Sequence, residues 1–108
     1  MEAIQYKGLD LITPENRIVL GTLSSNCYEK IKRSLHNECS LVVHLKKYDG
    51  KGGGEGKEKQ RVKYSIAVRA VAPTKIFEAS AADWDFARTL HKVFKEIEGE
   101  IEHHFKKS

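Results

Sequence analysis

Apolar residues recur along this chain with two periods, and each period marks an element. Near the start, Ile4 and Tyr6 alternate with polar neighbours, which predicts a short strand over residues 3–7 that Gly8 and Asp10 break. Leu20, Leu23, Cys27, Ile31 and Leu35 then fall three or four apart, the spacing of one helix face. Thr13-Pro14-Glu15 supplies the start of that helix. The threonine can cap free amides, proline is tolerated at the first helical position, and the acid suits the positive end of the dipole. Gly21 and the run Thr22-Leu23-Ser24-Ser25 have weak helix propensity, so an irregular first half is expected.

The period then changes to two. Leu41, Val43 and Leu45 point one way, and Val42, His44, Lys46 and Tyr48 the other. Residues 61–72 alternate again, with Val62, Tyr64, Ile66, Val68 and Ala70 on one face and Arg61, Lys63, Ser65 and Arg69 on the other. Pro73 ends that strand because it cannot donate to a ladder. A third, shorter strand is expected over residues 74–79, with Phe77 and Ala79 inward. Ser80-Ala81-Ala82-Asp83 has the spacing of a capping box and is expected to open the last helix. Trp84, Ala87, Leu90, Phe94, Ile97, Ile101 and Phe105 follow three or four apart, an apolar stripe of about six turns that contains Gly99.

Between the two long strands, residues 49–60 hold five glycines among mixed charges and are expected to form a flexible loop. The order is therefore β-α-β-β-β-α in one domain, residues 1–108. Two one-sided helices and strands with a basic outer face predict a two-layer α+β fold: a four-stranded mixed sheet with both helices on one face and the other open to water. The first strand, helix and second strand form a right-handed parallel crossover, and the later strands are antiparallel.

Composition narrows the function. Nineteen Lys and Arg against fifteen Asp and Glu give a net charge of +4, and the pI is near 9.1. Such a balance in one small domain is the footprint of a phosphate-binding surface where the cations cluster. The mean hydropathy is −0.52, and no apolar run approaches the roughly 18 residues of a membrane span. The basic start and apolar stretch of a secretion signal are missing from MEAIQYKGLDL, so a cytoplasmic protein is expected. Cys27 and Cys39 are expected to be reduced, with Cys27 an inert member of an apolar helix face. The five histidines form no metal-ligand spacing, GKGGGEGK is no phosphate cradle, and Ser24 and Ser25 sit in no nucleophile elbow. No metal, cofactor, small-molecule substrate or enzymatic step is expected.

The cations carry more information. On a helical wheel Arg88, Lys92, Lys95, His103 and Lys106 fall within about 80° of one another, and Gly99 lies in the same row. Asn26, Lys30, Arg33 and Asn37 make a comparable row on the first helix. Side by side, the two rows would edge a surface about 30 Å long, a scale that suits several successive phosphates. The outer sheet face is a rival surface, with Lys46, Lys63, Arg69 and His44, but Tyr48 is the one aromatic expected there.

The element order, Leu11-Ile12-Thr13-Pro14 opening the first helix, and Glu78-Ala79-Ser80-Ala81 followed by Asp83-Trp84 at the second resemble the short form of the ribosome hibernation-promoting factors, also called ribosome-binding protein Y. The resemblance covers nearly the whole chain through short motifs, and the 49–60 loop is longer than the family's. It implies a non-enzymatic stress-response factor that docks basic helices on ribosomal RNA of the small subunit, inhibits translation and preserves idle ribosomes. By position it implies RNA contacts at Lys30, Lys32 and Arg33 in the first helix and Arg88, Lys92, Lys95 and Lys106 in the second. A monomer or weak dimer is expected. The alternative is a protein-interaction module that uses the exposed sheet face or an edge strand.

Overall fold

The computed structural model describes residues 4–35, 39–50, 61–73 and 75–106; side chains at 49, 50, 61, 105 and 106 are outside the description. The expected β-α-β-β-β-α order is present. Strand β1 spans Ile4–Lys7. Gly8 follows at φ 93°, and a Cβ there would fall 2.6 Å from the Leu45 carbonyl oxygen, so both backbone and space require glycine. A 3-10 turn at Leu9–Leu11 leads to helix α1, Pro14–Ser34. Thr13 caps it: its Oγ1 accepts from the Asn16 N–H at 3.1 Å, with Pro14 at the first position.

Helix α1 runs through Gly21 and the Thr-Ser stretch as α-helix, without the expected irregularity. Ser24 explains why a weak helix former is tolerated. It is fully buried, its hydroxyl donates to the Leu20 carbonyl, and its oxygen lies 2.6 Å from the Tyr6 hydroxyl. The polar side chain thus ties β1 to α1 with its bonding capacity satisfied. Leu20, Cys27, Ile31 and Leu35 of the expected stripe are buried around it, and Leu23 is half-buried.

Strands β2, Ser40–Gly50, and β3, Arg61–Val71, pair in antiparallel register from Ser40↔Val71 to Gly50↔Arg61. The expected 49–60 loop is therefore shorter at its start, because Asp49 and Gly50 extend β2 against Val62 and Arg61; its remainder, 51–60, lies outside the described residues. The sheet order is β1-β2-β3-β4, with β1 parallel to β2 and the other neighbours antiparallel. Leu41, Val43, Leu45, Ile66, Val68, Ala70, Phe77 and Ala79 face one continuous core beneath both helices. No helix among the described residues is long and apolar enough to cross a membrane.

The largest departure lies at the end of the sheet. Strand β4 spans Ile76–Asp83, so the Ser80–Asp83 segment is strand and not a capping box. Ser65↔Ala82 and Tyr64↔Asp83 continue the pairing through it. Helix α2 spans Phe86–Lys106 and is capped by Asp85, whose Oδ2 accepts from the Arg88 N–H at 2.8 Å. The Asp85 carbonyl also accepts the Thr89 N–H at 3.0 Å and the Thr89 hydroxyl at 2.7 Å. A start at Phe86 buries Phe86, Leu90, Val93, Phe94, Ile97 and Ile101 against the sheet. Phe86 meets the Tyr64 ring edge-on at 5.2 Å, a gain that a helix beginning at Trp84 would forgo. Trp84 consequently leaves the stripe and stands 45% exposed. Gly99 sits in unbroken helix with open space around its Cα.

Candidate nucleic-acid interface

The topology sets the helix layer. Strands β1, β2 and β4 run one way, so the helices that return from β1 and β4 run in the same sense, packed on each other. Cys27, Lys30 and Glu98 meet at their seam. Lys30 Nζ lies 3.8 Å from Glu98 Oε1, which joins the two helices through an ion pair. Cys27 is buried against it; burial, and secondarily the Glu98 charge, push its thiol well above the ordinary range and keep it protonated. A thiol so placed is a packing group and no nucleophile.

Arg88, Lys92 and Lys95 follow at spacings of four and three, opposite the buried Leu90, Val93 and Ile97, and all three are exposed. Arg88 and Lys92 both meet Asp83 at the end of β4, at 3.7 and 2.7 Å. The Lys92 hydrogen bond holds the Asp83 carboxyl below the usual carboxylate range. These cations are engaged without being buried: Lys30, Arg88 and Lys92 keep 66%, 65% and 52% of their side-chain surface in solvent. Their acidic partners are more enclosed, Glu98 at 28% and Asp83 at 10%, but each cation's own head remains open to water, so a phosphate can compete for it.

On α1, Arg33 is exposed beside Lys30, whereas Lys32 turns away from α2. Its Nζ sits 5.6 Å from the Tyr28 ring centre and 3.8 Å from Glu29 Oε2. Tyr28 in turn donates to the Cys39 carbonyl at 3.2 Å, on the side where β2 begins. Lys30 and Lys32 are roughly 160° apart around the helix, so one helix cannot present both to the same flat partner. Lys30, Arg33, Arg88, Lys92 and Lys95 are thus all exposed on the two packed helices, Lys30 at their seam and Arg88 and Lys92 beside Asp83, whereas Lys32 points to another side; the Lys106 side chain lies outside the described residues.

The far face of the sheet is organised in rows that the strand register prints directly. Val42, Arg69 and Glu78 form one; His44, Ala67 and Ser80 the next; then Lys46, Ser65 and Ala82; then Tyr48 and Lys63. Arg69 pairs with Glu78 at 3.1 Å. The first two rows line a shallow groove of about 500 Å³, which Lys7 and Glu96 also border. At the other end, Lys63 Nζ sits 5.5 Å from the Trp84 ring centre, beside Tyr48, which is 54% exposed. Trp84 on this face is the residue that sequence reasoning missed. The signal was there in Asp85-x-x-Arg88 and in an apolar series that starts equally well at Phe86.

Among the described residues, no three His, Cys, Asp or Glu side chains gather as a metal ion would need. Compared with known proteins, the chain matches no family model and no curated protein.

Proposed function

We propose that this chain is a non-enzymatic RNA-binding protein of the ribosome-hibernation kind, acting in the cytoplasm. It lays the basic layer of its two helices on ribosomal RNA of the small subunit, where it blocks translation and preserves idle ribosomes. The observation that carries this reading is the presence of Lys30, Arg33, Arg88, Lys92 and Lys95, exposed, on two adjacent 21-residue helices. Each helix is about 30 Å long and rigid, so its cations meet phosphates at set intervals without ordering a loop. Such contacts position a protein on nucleic acid and carry no sequence information, so specificity comes from the shape of the site. The element order and the Ile12-Thr13-Pro14 and Ala79-Ser80-Ala81 segments support the same reading through their resemblance to the hibernation factors.

Co-sedimentation with small ribosomal subunits tests it. The wild-type chain pellets with subunits at low salt, and Lys92→Glu with Lys95→Glu abolishes that while circular dichroism stays unchanged. Since Lys92 also bonds Asp83, Lys95→Glu with Arg33→Glu is the companion variant that leaves the Asp83 pairs intact. Undiminished pelleting of both variants overturns the proposal.

A second reading has one observation in its favour. Strand β4 is a sheet edge eight residues long, and Ile76 on it is 51% exposed, a surface on which another chain could add a strand. It predicts a salt-tolerant complex or dimer by size-exclusion chromatography.

A further inference from the structure

Helix docking leaves the far side of the sheet unused, and that side is built unlike an ordinary solvated face. Its middle, on β3 and β4, is floored by Ala67, Ser65, Ser80 and Ala82, which are small residues of poor strand propensity. Long polar side chains would cover the sheet better, so the small ones leave a trough. On the β2 side the trough is walled by His44 and Lys46, both exposed. Arg69 and Glu78 close one end by pairing with each other, and Tyr48, Lys63 and Trp84 stand at the other. Rows two residues apart are about 6.7 Å from one another, so the trough from the His44 row to the Tyr48 row is about 13 Å long.

We propose that this face binds a short single-stranded RNA segment, with bases stacked on Trp84 and Tyr48 and the backbone following Lys63, Lys46 and His44. The inference is independent of helix docking and stands on a separate surface. Charge and ring chemistry choose the occupant. Lys63 and Lys46 favour a polyanion, and two partly exposed aromatic residues favour planar bases, which a peptide does not supply. Lys63 already lies against the indole at cation–π distance, so a stacking base takes over that ring face while the ammonium moves to the adjoining phosphate. The length matches the two or three bases that a four-stranded sheet stacks.

Trp84 is the chain's one tryptophan, so its fluorescence reports on this surface directly. The full chain is titrated with octauridylate, read by Trp84 emission and by anisotropy of the labelled RNA. Saturable quenching is expected with the single strand and not with a duplex, whose bases are already stacked. Trp84→Ala with Tyr48→Ala should weaken octauridylate by on the order of 10- to 100-fold, and Trp84→Phe should retain affinity within about threefold. Both positions are exposed, so an unchanged thermal transition shows that the variants fold. Lys95→Glu with Arg33→Glu, which spares the Asp83 contacts beside Trp84, should leave quenching intact, and Tyr48→Ala with Trp84→Ala should leave subunit pelleting intact, which separates failure of this surface from failure of the helix layer. Equal quenching by duplex, full affinity in Trp84→Ala with Tyr48→Ala, or quenching that vanishes in Lys95→Glu with Arg33→Glu each overturns the proposal. Self-association through this face in place of RNA binding also overturns it.

Discussion

Asp85 and Ser80 differ in a way that decides where the long helix begins. Asp85 accepts the Arg88 N–H at 2.8 Å, while Ser80 lies inside β4 opposite Ala67. Asp85→Ala is expected to cost about 1 kcal/mol in urea unfolding, and Ser80→Ala to be close to neutral. The capping-box spacing of Ser80 and Asp83 is real but loses to strand pairing, because pairing with β3 satisfies both backbone groups of every second residue along β4, whereas a cap satisfies one or two groups in all. Trp84 follows from the same contest. A lone large apolar residue before a helical stripe looks like its first member until the strand it belongs to is placed. Cys27 supplies a test in alkali. Its thiol is raised above the ordinary value near 9.0 by burial and Glu98, so the unfolded chain releases that proton first. Stability held by the protonated thiol is therefore present below about pH 9 and lost as the pH rises above it. In Cys27→Ala the decline of stability between pH 8 and pH 10 should be shallower, measured by urea unfolding across the range.

At the scale of elements, three glycines that look equivalent in sequence are expected to respond with opposite signs. A Cβ at Gly21 or Gly99 meets nothing within 4 Å, and both lie in helix. Each should gain about 0.5–1 kcal/mol on replacement by alanine, through propensity and a less flexible unfolded chain. Gly8 sits at φ 93° with the Leu45 carbonyl 2.6 Å from a Cβ, so Gly8→Ala should lower the melting temperature by several degrees. Thermal unfolding of the three variants checks both signs. The α1 stripe and the alternation of β2 and β3 were legible because burial in a two-layer fold imposes one period on each element. The β4–α2 junction was not, because residues 80–85 suit either state and the choice depends on what Tyr64 and Phe86 gain by meeting. Ser24 was hidden for a related reason: its hydroxyl becomes a core group only when Tyr6, eighteen residues earlier, is brought to it.

For the whole molecule, helix docking makes a quantitative claim about salt. Lys30, Arg33, Arg88, Lys92 and Lys95 neutralising about five phosphates give a logarithmic slope of affinity on salt of roughly −3.5 to −4.5, depending on strandedness. Octauridylate on the sheet face should show a shallower slope, because two lysines there neutralise fewer phosphates and stacking itself releases no counterions. Binding constants from a salt series on each ligand check the contrast. Asp83 sets a further condition on the helix layer. Its carboxylate competes with phosphate for Arg88 and Lys92, so Asp83→Asn should strengthen subunit binding a few-fold while removing the pairs that tie β4 to α2.

Element order, the two-layer architecture and the one-sidedness of both helices were written in local patterns, since hydrophobic burial reads period and little else. Which cations share a surface was not, because that depends on how far each helix is rotated over the sheet and on which acid lies within reach. Tertiary packing alone turned Lys32 toward Tyr28, brought Lys30 to Glu98, and moved the indole of Trp84 from the expected core to the open side of the strands.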